Sequence, residues 1–297
     1  MSAPRASGLD LLRLLAMAVI VLQHGLSIVG HYDWTQLTTD GITFGQFGVG
    51  IFCALSGWFA LSRDGDPGRW LAERLARVYP AYWLATLFAF ALALAIGRPV
   101  TPWLFLSQMA GTGFMTHGWN LINGPTWFVS LILLCYLLAA AARLSRYPVA
   151  AMSAIWLLAT LCVVLEIEIA LSRHIIAFAA AAVAGAHRRP ALLLFFAAAL
   201  VPLLAVQSSV VFAIAALPIF WLFREKIAIP SLGVTLLVGY CYEFFLLHGL
   251  FLNGAANLTR SPLWVIVLGT AATAPAAFLL KKAAAPMIAH ARLRAVQ

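Results

Sequence analysis

Apolar runs about as long as a bilayer is thick recur through this chain, and they constrain its fold more than any other feature. A helix needs roughly twenty residues to cross a hydrocarbon core, and Leu11–Val29 is the first stretch of that length. In lipid, backbone N–H and C=O groups must be paired within a helix or a closed barrel. Unbroken runs, in place of short alternating strands, exclude the barrel. Hydrophobic residues make up 63 % of the chain and charged ones only 10 %, which is not the composition of a soluble domain. Reading the runs between polar breaks predicts ten spans, at about 9–29, 45–62, 80–97, 127–144, 149–165, 172–186, 191–206, 209–223, 231–252 and 262–281. The expected fold is an all-α polytopic membrane bundle of about ten transmembrane helices, with residues 1–297 forming one integral-membrane domain.

A formal charge of +9 suggests nucleic acid in a soluble protein, but here its distribution has a topological meaning. With the N-terminus in the cytoplasm, only Arg98, Arg173 and Arg260 of the nineteen basic residues fall outside. That bias predicts an even number of spans with both termini cytoplasmic, and it explains the charge without a nucleic-acid partner. Arg13 within the first run, and the lack of a small-x-small cleavage site, argue against a signal peptide. The four cysteines, Cys53, Cys135, Cys162 and Cys241, lie inside apolar runs with no metal-ligand spacing and read as packing residues. No metal site is expected. The sizeable loops are His31–Phe44 and Arg98–Thr126, the second rich in Trp, Asn and His, with Trp103–Met109 read as a short interfacial helix.

Chemistry-bearing residues stand out because they are costly where they sit. Arg13 and His24 are eleven residues apart, three turns plus roughly 20°, so both project from one helix face. At about 1.5 Å per residue His24 lies roughly 16 Å deeper, near the bilayer midplane, where ionisable groups face a cavity or a partner. A buried histidine bonded to a backbone carbonyl is the bland alternative. Arg74 and Arg77, three apart just before the third span, form a doubled cationic surface suited to phosphate or pyrophosphate, or to ordinary positive-inside flanking. Gly45, Gly48, Gly50 and Gly57 allow close helix approach, with Ser56 supplying a hydroxyl in the membrane. Pro125–Ser130 opens the fourth span with Trp127, and Tyr240–His248 carries Tyr242, Glu243 and His248 in the ninth. Glu243 and His248 are about 140° apart on an ideal helix, so each faces its own surroundings.

Taken in order, Leu-Asp-x-x-Arg followed by His24, Gly-Val-x-x-Phe-x-x-x-Ser-Gly, Arg-x-x-Arg-x-x-Pro-x-Tyr, Trp-Phe and a late Tyr-x-x-Phe-Leu-x-His resemble the type 3 membrane acyltransferase family. The resemblance runs from Leu9 to about His248. It implies a ten-helix bacterial enzyme of the cytoplasmic (inner) membrane that acylates surface glycans or similar acceptors. It also implies catalytic roles for His24 and Arg13 and acyl-donor binding by Arg74 and Arg77, with Trp127, Tyr242 and His248 at further matching positions. Ser56, Ser130 and Glu243 complete the expected site lining. The acidic residues that many relatives carry after the Trp are replaced here by Leu131 and Ile132, and the Tyr-Leu before the late His reads Phe245-Leu246. The first departure leaves open which group orients His24.

The expected activity is an O-acyltransferase with acyl-CoA, foremost acetyl-CoA, as co-substrate and no bound cofactor. Its partners would be membrane lipids and a glycan or lipid-linked sugar acceptor, with self-association left open. His24 suits the removal of a proton from a hydroxyl because imidazole titrates near neutrality. Arg13 would hold anionic donor groups or stabilise an oxyanion. Two rival readings use the same residues: a transporter or flippase of lipid-linked sugars with Arg13, His24 and Glu243 along its path, and a cytochrome with His24 and His248 as axial ligands.

Overall fold

The computed structural model of the protein describes residues 7–37, 43–62, 65–227 and 232–296. Arg5 and Arg63, both in the expected cytoplasmic set, lie outside them. Among the described residues every named element is helical: α1 (Ser7–Ile28), α2 (Phe44–Trp58), α3 (Pro67–Ala95), α4 (Pro102–Met109), α5 (Gly113–His117), α6 (Trp127–Leu144), α7 (Pro148–Val164), α8 (Ile169–Ala186), α9 (Leu192–Leu200), α10 (Val211–Glu225), α11 (Leu232–Val238), α12 (Cys241–Leu258) and α13 (Pro262–Val296), joined by short 3-10 turns. By length and composition, α1, α3, α6, α8, α10 and α13 can cross a membrane, while α2, α7 and α9 are apolar but shorter. The chain is a multi-pass helical membrane protein.

Three expectations are corrected. The third span does not begin at residue 80: α3 starts at Pro67 and continues through Pro80 to Ala95. Charged residues interrupt the hydropathy of its first turns but not the helix, and an internal proline is tolerated where neighbours satisfy the freed backbone group. The expected span 231–252 is two helices, with α11 ending at Val238 and α12 opening at Cys241. The Arg98–Thr126 connection contains the short helix expected at Trp103–Met109, here α4 (Pro102–Met109), but it is not an open loop, as its contacts with α3 show below.

The described residues form two compact units. The first comprises 7–23, 31–67 and 137–239, and so holds α2, α7 to α11 and most of α1. One of its close backbone contacts is reciprocal. A Cβ on Gly57 of α2 would strike the Phe178 backbone of α8, and one on Gly185 of α8 would strike the Trp58 backbone of α2. Small residues thus let the two backbones touch, which is how helices gain packing in lipid. The Ala177–Ala182 run of α8 is fully buried in the same contact region. On the other side of α2, a Cβ on Gly48 would come 2.6 Å from the Ala16 carbonyl oxygen of α1. Gln46 Oε1 accepts the Thr43 N–H at 3.2 Å, giving α2 a defined start.

The second unit comprises 24–30, 68–136 and 240–296, and so holds α3 to α5, the first half of α6, α12, α13 and the last turn of α1. Here α4 folds back along α3. Its start is capped by Thr101, whose Oγ1 accepts the Leu104 N–H at 3.1 Å. Its middle packs at Ala89, Phe90 and Ala93 of α3 through Leu104 and Phe105. Its end lies far down that helix, where the hydroxyls of Tyr82 and Tyr79 and the indole N–H of Trp83 donate to the carbonyls of Gln108, Ala110 and Met109, the last two at 2.7 and 2.9 Å. Helix ends leave carbonyls without intrahelical partners, and in lipid those must be satisfied by protein. Moving from Phe90 to Tyr79 is eleven residues, about 16 Å along α3. The connection therefore re-enters the span's own length. Arg98 holds its returning limb by donating to the Leu121 and Ile122 carbonyls at 3.1 and 3.3 Å.

Candidate active site

The last turn of α1 carries His24 against α12. His24 Nδ1 lies 2.8 Å from His248 Nε2, with the ring planes 7° apart and the centroids separated by 4.9 Å. Those values describe two near-coplanar rings meeting edge to edge and sharing one proton. The other nitrogen of His248, Nδ1, is 2.7 Å from the Phe245 carbonyl oxygen. A carbonyl only accepts, so His248 Nδ1 carries hydrogen and, in the neutral ring, Nε2 is an acceptor. His24 Nδ1 must then be the donor, which leaves the lone pair of neutral His24 on Nε2. That nitrogen makes no hydrogen bond among the described residues. His248 thus answers the question left open by the missing acidic residues. A ring bonded directly to its neighbour at 2.8 Å leaves no room for a haem iron between the two, so the axial-ligand reading fails on geometry.

His24 borders a cavity of about 260 Å³, walled by the end of α1, by the 119–127 stretch and by the face of α12 that follows His248. Trp127 lines it, as the sequence suggested. The 3-10 turn Gly124–Thr126 docks this wall onto α12: Asn123 Nδ2 donates to the Leu246 carbonyl at 2.7 Å, and a Cβ on Gly249 would come 2.7 Å from Pro125 Cγ. His248 is therefore held from both sides of its own sequence. Asn253, also in the lining, was missed by the sequence reading; a polar residue five positions after His248 in an apolar helix was the available clue.

The basic pair sits elsewhere in the same unit. The Arg74 guanidinium lies over the rings of Trp70 and Tyr136, at 5.4 and 5.8 Å from their centroids, and those rings meet edge-on. The neighbouring Glu73 is paired with Arg69 at 3.4 Å, so neither Arg74 nor Arg77 makes an ion pair among the described residues. Tyr242 ties this region to the imidazole pair: its hydroxyl donates to the carbonyl of Val78, the residue after Arg77, at 3.0 Å. Six residues separate Tyr242 from His248, about 9 Å along α12.

Like Arg74, Arg77, Tyr242 and His248, four further expected residues are not part of the cavity lining. Arg13 belongs to the first unit and pairs with Asp10 one turn earlier at 2.5 Å, with Asp10 almost fully buried. Ser56 is also in the first unit, on α2. Ser130 Oγ accepts the Phe114 N–H at 3.3 Å and so serves the start of α5. Glu243 is buried at the start of α12, within electrostatic reach of Lys281 on α13.

Long apolar helices around a buried imidazole pair that borders a cavity define an integral-membrane protein with one candidate site. A family model described as an acyltransferase domain matches residues 7–282. The chain belongs to the type 3 membrane acyltransferase family and is an acyltransferase for groups other than aminoacyl groups. No curated protein and no solved structure matches it.

Proposed function

We propose that this membrane acyltransferase moves a short acyl group, foremost acetyl, from acyl-CoA to a hydroxyl of a surface glycan or lipid-linked sugar in the cytoplasmic membrane of a bacterium. The observation that carries this reading is the tautomer set by His248, which leaves His24 Nε2 as the base beside a substrate-sized cavity. His24 Nε2 takes the proton of the acceptor hydroxyl while its oxygen forms a bond to the thioester carbonyl carbon. Collapse of the tetrahedral intermediate breaks the C–S bond, and the departing CoA sulfur takes the proton from His24 Nε2. His248 holds the imidazolium in place throughout.

Arg74 and Arg77 grip the donor's phosphates, with the thioester reaching toward His24 along α12. Arg13 is about 16 Å from His24 on the same continuous helix. Its expected part, holding anionic donor groups or stabilising an oxyanion, is kept in this reading. With α2, α7, α9 and α12 supplying four crossings beside the six long helices, ten spans place both termini in the cytoplasm, the basic pair inside and the 119–127 wall outside. Purified protein given acetyl-CoA should release free CoA faster when a glycoside acceptor is added. Acceptor-independent thiol release, or none, overturns the reading.

A further inference from the structure

Chemistry lining the His24 cavity narrows what can sit there. Its walls carry two indoles, Trp119 and Trp127, which meet at 5.4 Å and 62°. They also carry two side-chain amides, of Asn123 and Asn253. Each amide has one N–H committed: Asn123 Nδ2 donates to the Leu246 carbonyl and Asn253 Nδ2 to the Gly249 carbonyl, both at 2.7 Å. Asn123 is almost fully buried, and its Oδ1 has no hydrogen-bond partner. What each amide still offers is its oxygen and its second N–H, which together match hydroxyls, groups that both donate and accept. Among the described residues the lining has no Lys, Arg, Asp or Glu, and His24 is its one ionisable side chain. Arg98, which binds the nearby Leu121 and Ile122 carbonyls, is not part of it. The cavity is smaller than the roughly 300–1,000 Å³ that drug-sized ligands occupy, so it has room for a single ring.

We infer that this cavity is the acceptor subsite and takes one uncharged polyhydroxylated ring, stacked on indole and addressed by side-chain amides, while rejecting uronates and phosphorylated sugars. A carboxylate or phosphate entering here would lose water without gaining a cation, and an unpaired buried charge is strongly disfavoured. This assignment rests on the acyl-transfer reading, but its test does not need turnover.

The probes are a methyl hexopyranoside and the methyl uronide of the same configuration, titrated calorimetrically into purified full-length protein. The hexoside should bind at least tenfold more tightly. Trp119→Ala, at an exposed position, should weaken the hexoside tenfold or more. Asn253→Lys, which adds the missing cation at another exposed position, should tighten the uronide. Equal affinities, a preference for the uronide, or no heat with either sugar overturns the assignment. Hexoside-selective binding without CoA release from acetyl-CoA would leave the subsite standing and overturn the acyl-transfer reading instead.

Discussion

His248 does for His24 what a carboxylate does in many base-assisted sites, but without a charge. Its proton donor is spent on the Phe245 carbonyl, so it can only accept from His24. Removing that acceptor should disturb orientation more than binding. His248→Ala is expected to lower kcat about 10–100-fold, the range seen for groups that orient a functional side chain, with KM for acyl-CoA unchanged. His248→Gln, whose amide oxygen can accept, should recover part of the loss. A rise in KM with kcat intact would show that His248 binds substrate instead. His24 itself was legible in the sequence because an ionisable residue in an apolar run stands out by its cost. Its partner was not, since the two are 224 residues apart and helical spacing relates only neighbours on one element. The basic pair makes a second residue-scale prediction. Arg74→Ala should raise the KM for acyl-CoA about tenfold or more, a charged contact being worth roughly 1.5–3 kcal/mol, and Arg74→Lys should rescue it only in part. Trp70→Leu, which removes one ring beneath Arg74, should raise the donor KM in the same direction; an unchanged KM in all three would confine the pair to topology.

At the scale of elements, close packing was readable and re-entry was not. The glycines of α2 announced a tight interface, and Gly57 meets the α8 backbone directly. Gly57→Ala should therefore destabilise the protein by about 1–3 kcal/mol or more, as overpacking does, read as a lower melting temperature in detergent. An unaltered melting point would mean that α2 and α8 can separate at no cost. The short helix at Trp103–Met109 was readable, but its path along α3 was not, because a polar, Trp-rich connection carries no periodicity that names its partner. What draws it inward is the row of donors on α3, Tyr79, Tyr82 and Trp83, waiting for the carbonyls at its end. The true start of α3 was hidden for the opposite reason: Glu73, Arg74 and Arg77 break the apolar run, yet charged residues are good helix formers.

For the whole molecule, the proposed topology has the basic pair and the 119–127 wall on opposite sides. Gly68→Cys, before the basic pair, should react with an impermeant maleimide only after lysis of spheroplasts, whereas Asn120→Cys should react in intact ones. Both positions are exposed, and three of the four native cysteines are buried. Labelling from one side alone would refute the ten-span arrangement and the transfer across it. In the proposed mechanism, with donor from one face, acceptor from the other and a base between them, His24 is the point on which turnover depends. The most direct measurement is therefore CoA release from acetyl-CoA plus acceptor by purified His24→Ala beside the unaltered protein, with equal melting temperatures showing that both are folded. General-base removal costs about 10²–10⁴-fold, so the variant should retain at most about one per cent of the turnover number; a variant that is folded and turns over normally would contradict the account.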